Sequence, residues 1–163
     1  EKYDYVILCE RAHSEMTQYD MIYSIVSDNR FVDSVGNVFT EIGCVDSREA
    51  YKAFLDREFK NEEEVDSSLA SFMTVNQSVH LLNFLKRLYY LNHGKSTKVN
   101  LLFSDRNWID RTELDSRDSI MAENIVSTLK NDSLRKSLII MNYRHAYLTP
   151  GNCGYYISQA FPG

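Results

Sequence analysis

Cysteine is scarce and unpatterned. Cys9, Cys44 and Cys153 make an odd count without metal-type spacing, which reads as reduced thiols and excludes a disulfide framework or a zinc-finger site. Long apolar runs are missing as well: no stretch approaches the roughly 20 residues that a membrane span requires. Basic charge is not in excess. With 18 Lys and Arg against 23 Asp and Glu, a formal charge of -5 and no Lys/Arg cluster, binding of nucleic acid through phosphate neutralisation is disfavoured. No Gly-x-Ser-x-Gly elbow occurs, so a serine-hydrolase triad is not expected. Internal repeats, low-complexity linkers and a signal-peptide pattern are all absent. Glu1-Lys2-Tyr3-Asp4 leads at once into a folded pattern, and Phe161-Pro162-Gly163 stops where another strand is due. Both ends therefore read as cut, as in a piece of a longer protein, and the compartment stays open.

What is present is ordinary globular material. The 163 residues, 44% hydrophobic and 25% charged, suit one domain over 1–163 with a substantial core. Four short apolar runs alternate with helical patterns: Val6 to Leu8, Val38 to Thr40, Val99 to Phe103 and Leu138 to Met141. Such runs read as buried parallel strands, so the expected fold is α/β, a mostly parallel sheet of about four or more strands flanked by helices. Ser14 is expected to cap a helix that ends near Asn29-Arg30, Asp46-Ser47 to cap a second, and Asp115 or Ser116 to open one through Met121, Ile125 and Leu129. Val79, Leu82, Leu85, Leu88 and Tyr89 share a helical face closed by Asn92-His93-Gly94, and a last helix lies beyond Pro150-Gly151. Residues 47–93 are long for a simple crossover and read as a helical excursion covering the site.

Open α/β sheets bind ligands outside the carboxyl ends of their strands. Each apolar run leads into ionisable or amide residues there: Glu10 and His13, Glu41, Asp105, then Arg144 and His145. Glu10 and His13 lie three residues apart beside a helix start, whose dipole favours the neutral imidazole that a general base needs. The plainer alternative makes Glu10 a cap and His13 a surface residue. Glu41 needs a cationic partner if buried; a structural ion pair with Arg11 or Arg144 is its alternative role. His145 suits an oxyanion contact, a metal ligand or a second acid/base, or else a hydrogen-bonded loop position. Arg144 suits an anionic group or an oxyanion, or a structural carboxylate. His80 and His93 read as non-catalytic, and the eleven tyrosines mainly as half-buried packing.

Several blocks resemble a known family. Cys9-Glu10-Arg11-Ala12-His13-Ser14 is similar to the Gly-Glu-x-x-His-Gly opening of erythromycin esterase-like proteins, and Glu41 falls where that family ends its second strand with glutamate. Arg117 to Asn124 is similar to its Arg-Asp-x-x-Met-Ala-x-Asn helix, Asn142-Tyr143-Arg144-His145 to its Asn-x-His strand end, and Gly154 to Ile157 with Phe161 to its closing segment. Cys9 and Ser14 replace the two glycines of the opening, and one extra residue separates Asn142 from His145. The resemblance implies that His13 activates water, that Glu10 and Glu41 orient it, that His145 completes the pocket and that Arg117 supports the site. The wider superfamily includes ChaN-like haem-binding and TraB/TIKI-like metal-dependent proteins.

Three readings follow. The first is a hydrolase of an ester or related acyl bond in a small-molecule substrate, without cofactor, with catalytic His13, Glu10, Glu41 and His145 and with Arg144, Arg117 and Asp105 on the substrate. A second holds a divalent metal on His13, Glu41 and His145. The third is a non-enzymatic binding module for haem or another anionic ligand, using His145 or Tyr143 as axial ligand and Arg144 for a carboxylate. Oligomeric state is not legible.

Overall fold

Apolar residues that alternate with helical periodicity build a parallel sheet between two helical layers. The computed structural model describes residues 4–73, 78–107, 117–130 and 136–161. Its elements run β1 (Tyr5–Glu10), α1 (Met16–Val26), α2 (Asn29–Ser34), β2 (Asn37–Cys44), a 3₁₀ turn (Val45–Ser47), α3 (Arg48–Leu55), α4 (Glu62–Phe72), α5 (Val79–Asn92), β3 (Asn100–Asp105), α6 (Arg117–Leu129), β4 (Ser137–Asn142), α7 (Tyr143–Ala146) and α8 (Cys153–Ala160). All pairings are parallel, in the order β1-β4-β2-β3. The α/β expectation therefore holds, with four strands.

The core lies in two parts, one on each sheet face. Val38, Leu101, Phe103, Leu138 and Ile140 pack against α1, α3, α4 and α5, through residues such as Ile22, Tyr51, Leu69 and Leu85. Phe39, Ile139 and Met141 pack against α6 and α8, through Met121, Ile125 and Ile157. Chain leaving β1 and β2 thus enters one helical layer, and chain leaving β4 enters the other. A crevice opens at the carboxyl ends of neighbouring strands wherever the connections part in this way. No helix among the described residues is long and apolar enough to cross a membrane.

Local details depart from the sequence reading. α1 begins after Glu15, which makes no side-chain cap, rather than after Ser14. The helix ends at Val26 instead of near Asn29, because Asp28 caps a separate short helix by accepting from the Arg30 amide. Ser47 does not cap α3 with its side chain; its hydroxyl donates to the Phe72 carbonyl, tying α3 to α4. Ser78 caps α5, and Gly94 follows that helix at φ 68°. The expected cap at Asp115 or Ser116 lies outside the described residues. The described helices of the 47–93 excursion form a layer on one sheet face instead of a cover over the carboxyl edge. Two of its residues bond near that edge: Ser78 donates to the His13 carbonyl at 3.1 Å, and Arg48 Nε donates to the Phe103 carbonyl at 2.7 Å.

Candidate active site

Glu10 and Asn142 are paired residues at the ends of the adjacent strands β1 and β4, and Asp105 ends β3. Glu41 lies inside β2 rather than after it. Its pairing with β4 stops at Thr40, and between Thr40 and Cys44 the register against β3 slips, so that the chain bulges at the carboxylate. The bulge is satisfied by side chains: Ile42 N donates to Thr40 Oγ1 at 3.1 Å, and Ser104 Oγ donates to the Thr40 carbonyl at 2.8 Å. Freed from the ladder, the Glu41 carboxylate turns to the end of β4 and accepts the Asn142 amide at 2.6 Å.

The polar groups then converge. His13 Nδ1 lies 2.7 Å from Glu10 Oε2, and its Nε2 lies 3.3 Å from Glu41 Oε1. His145 Nε2 approaches the same Glu41 oxygen at 3.3 Å, and its Nδ1 makes a short hydrogen bond to Asp118. Asp118 is held in turn by the Cys153 amide at the start of α8, at 3.2 Å. Arg117 donates to both oxygens of Asp105, to Glu41 at 3.1 Å and to His145 Nε2, with Nη1 3.0 Å away. Glu10, Glu41 and Asp105 are buried, whereas His13, Arg117 and His145 keep a solvent-facing edge. The carboxylates form the floor, and the nitrogen groups form the mouth.

The electrostatics follow from this stacking. Burial opposes the charged form of His13, but hydrogen bonds to Glu10 and Glu41, together with their charges, outweigh it and raise the pKa to about 9. Resting His13 is consequently an imidazolium at neutral pH, not the neutral imidazole expected from a helix dipole. The helix starts three residues further on, at Met16, and carboxylates face both ring nitrogens. Burial of Glu41 pushes its pKa up, yet the two histidines and the Asn142 amide hold it below the ordinary carboxylate range. For His145, burial is again outweighed by Asp118 and Glu41, to about 9. The Arg117 N–H opposes that rise, because a guanidinium only donates and needs the Nε2 lone pair.

Of the residues singled out in the sequence, Glu10, His13, Glu41, Asp105, Arg117 and His145 come together. Arg144 does not join them: it is exposed on the short α7 and its Nε faces the Tyr143 hydroxyl at 3.4 Å. Arg11 is exposed too and approaches Glu15 at 3.8 Å, so the partner of Glu41 is Arg117 rather than Arg11 or Arg144. His93 pairs with Glu58 at the far end of α5. The sequence reading missed the roles of Asp118 and Asn142, although Asp118 sits in the block resembling Arg-Asp-x-x-Met-Ala-x-Asn and a strand-final Asn beside a strand-final Glu marks Asn142.

The proposed metal ligands His13, Glu41 and His145 do converge, but Arg117 already occupies the same Glu41 and His145 atoms. Among the described residues no group of three His, Cys, Asp or Glu could hold a metal ion. Haem ligation meets a similar obstacle at His145, whose two ring nitrogens are both engaged. The fold and site thus define an α/β protein with a parallel sheet and a carboxylate-histidine-arginine cluster at its ligand edge. Comparison with protein-family models, with characterised proteins and with solved structures finds no match.

Proposed function

We propose that the protein hydrolyses an ester or related acyl bond with water activated by His13, as the resemblance to erythromycin esterase-like proteins implies. The observation that carries the reading is the double engagement of His13. Glu10 on Nδ1 fixes the ring and its tautomer, leaving Nε2 directed at Glu41 beside the solvent-facing mouth. A carboxylate-oriented imidazole of this kind is the usual device for taking a proton from water or an alcohol. In the working form His13 has lost its Nε2 proton and accepts one from the attacking water. Arg117, at the solvent-facing mouth, then stands ready to stabilise the oxyanion, and Glu41, Asp105 and His145 hold its guanidinium in place.

The test uses p-nitrophenyl acetate and butyrate as probes, with metal content measured on the same sample. Wild-type protein should release p-nitrophenol with turnover, and His13→Ala should lower kcat by about 100-fold or more, the usual range for a lost general base. Full activity in His13→Ala overturns the reading. Stoichiometric bound metal, lost together with activity on chelation, overturns it in favour of metal-assisted hydrolysis.

A further inference from the structure

Consecutive residues of α6 grip the two ring nitrogens of His145. Arg117 Nη1 lies 3.0 Å from Nε2, and Asp118 takes Nδ1 in the short hydrogen bond. A guanidinium N–H only donates, so Nε2 must offer it a lone pair, and the ring proton then stands on Nδ1, against a carboxylate that accepts it. Burial disfavours a second proton on the ring, while the hydrogen bonds and charges of Asp118 and Glu41 favour one. That proton would have to sit on Nε2. There it would meet the Arg117 N–H, which is nearer than the Glu41 oxygen at 3.3 Å.

Asp118 is fixed in turn from a second element. Its other oxygen accepts the Cys153 amide at 3.2 Å, at the start of α8. A Cβ added to the next residue, Gly154, would collide with the Ala146 carbonyl, so α8 sits directly against α7, the turn that carries His145. Both carboxylate oxygens therefore accept, one from His145 and one from Cys153. Asparagine cannot repeat this, because it has a single acceptor oxygen and its NH2 must face either the Cys153 N–H or His145 Nδ1. In the second arrangement Nδ1 becomes the acceptor and the ring proton moves to Nε2, against Arg117.

We infer that Asp118 is a positioning residue: it holds His145 in the neutral tautomer with the proton on Nδ1, so that Nε2 accepts from Arg117 and fixes where Nη1 stands. Asp105 and Glu41 accept from Nε and Nη2 and hold the other side of the guanidinium. His145 supplies the hold on Nη1, and Asp118 decides whether it can. The consequence for turnover rests on the hydrolytic reading, in which this guanidinium meets the oxyanion; the tautomer does not depend on that reading. Asp118 exchanges no proton with substrate and acts only through the ring.

Nitrogen-15 NMR of the histidine rings at pH 7 decides the tautomer, with the His145 signals identified as those that His145→Gln lacks. Wild-type protein should show a protonated, pyrrole-type Nδ1 and an unprotonated, pyridine-type Nε2, and Asp118→Asn should lose that pattern. With p-nitrophenyl butyrate, kcat of Asp118→Asn should fall by about tenfold or more while KM stays where it was. A merely structural aspartate would leave both the ring pattern and that split unmoved. A wild-type Nε2 that carries a proton overturns the proposal, and this spectrum needs no variant of Asp118 to fold. So does an Asp118→Asn protein that keeps the wild-type pattern, or one that loses it with kcat unchanged. A wild type that shows the tautomer but cleaves no ester overturns the hydrolytic reading and with it the link to turnover, leaving the tautomer assigned.

Discussion

Glu41 Oε1 lies within 3.3 Å of nitrogens on His13, Arg117 and His145, and Oε2 takes the Asn142 amide at 2.6 Å. A carboxylate this buried tolerates its charge only because those groups surround it. Arg117 is the member that never loses its proton, and it bridges Glu41 to Asp105. Replacing it leaves two buried carboxylates short of a cation. Arg117→Gln should accordingly cost about 3–5 kcal/mol in urea unfolding, the range for one partner removed from a buried pair. Arg117→Lys should recover only part of this, since one ammonium cannot reproduce the fork that spans Asp105, Glu41 and His145. A loss below about 1 kcal/mol for Arg117→Gln would show that the pairing is worth no more than a surface ion pair.

At the scale of elements, the bulge of β2 decides whether Glu41 faces the crevice, and Gly43 makes the bulge possible. Its φ is 120°, and an added Cβ would fall 2.3 Å from the Phe103 ring. Gly43→Ala must strain the backbone and displace that ring, so it should destabilise the protein by roughly 2–4 kcal/mol. Ester hydrolysis should fall with it, because the displaced bulge carries Glu41. An alanine variant with wild-type unfolding and turnover would show that β2 reaches the same shape without the glycine. The strands themselves were legible in the sequence, since buried parallel strands announce themselves as short apolar runs, and each run ended in the residues that meet in the crevice. The bulge was not legible: the apolar run from Val38 to Thr40 reads as a strand that stops before Glu41, whereas β2 continues to Cys44 and its slippage depends on the register of β3 and β4. Helix starts were misjudged where an amide or hydroxyl preferred a tertiary partner to a cap, as at Ser47. Arg117 could be placed only by resemblance, because the α6 side chain that reaches Glu41 is brought there across 76 residues of sequence. Arg144 was favoured by its nearness to β4, yet the turn of α7 carries it outward.

For the molecule as a whole, protonation of the cluster couples folding to catalysis with opposite signs. His13 has a pKa of about 9 in the folded protein, against an ordinary value of 6.5. A raised pKa adds stability that is fully present below pH 6.5 and is lost as pH rises through 9. Over that window the unfolding free energy should fall by up to about 1.4 kcal/mol per pH unit from this group. Glu41 sets the acid side, because its lowered pKa adds stability that is present above the ordinary carboxylate value of 4.5 and lost as pH drops through the folded value. Stability should therefore peak between these limits, near pH 5 to 6.5. Hydrolysis needs His13 without its extra proton, a form held by about one molecule in a hundred at pH 7. The rate of p-nitrophenyl butyrate cleavage should climb about tenfold per pH unit and level off near pH 9, while the urea midpoint declines over the same interval. Glu10→Gln removes one of the charges that hold the proton, so in that variant the rate should level off at lower pH. The urea midpoint should also lose much of its fall between pH 6.5 and 9. A rate that is flat from pH 6 to 9, or a midpoint that rises over that range, would show that His13 does not carry its proton between Glu10 and Glu41.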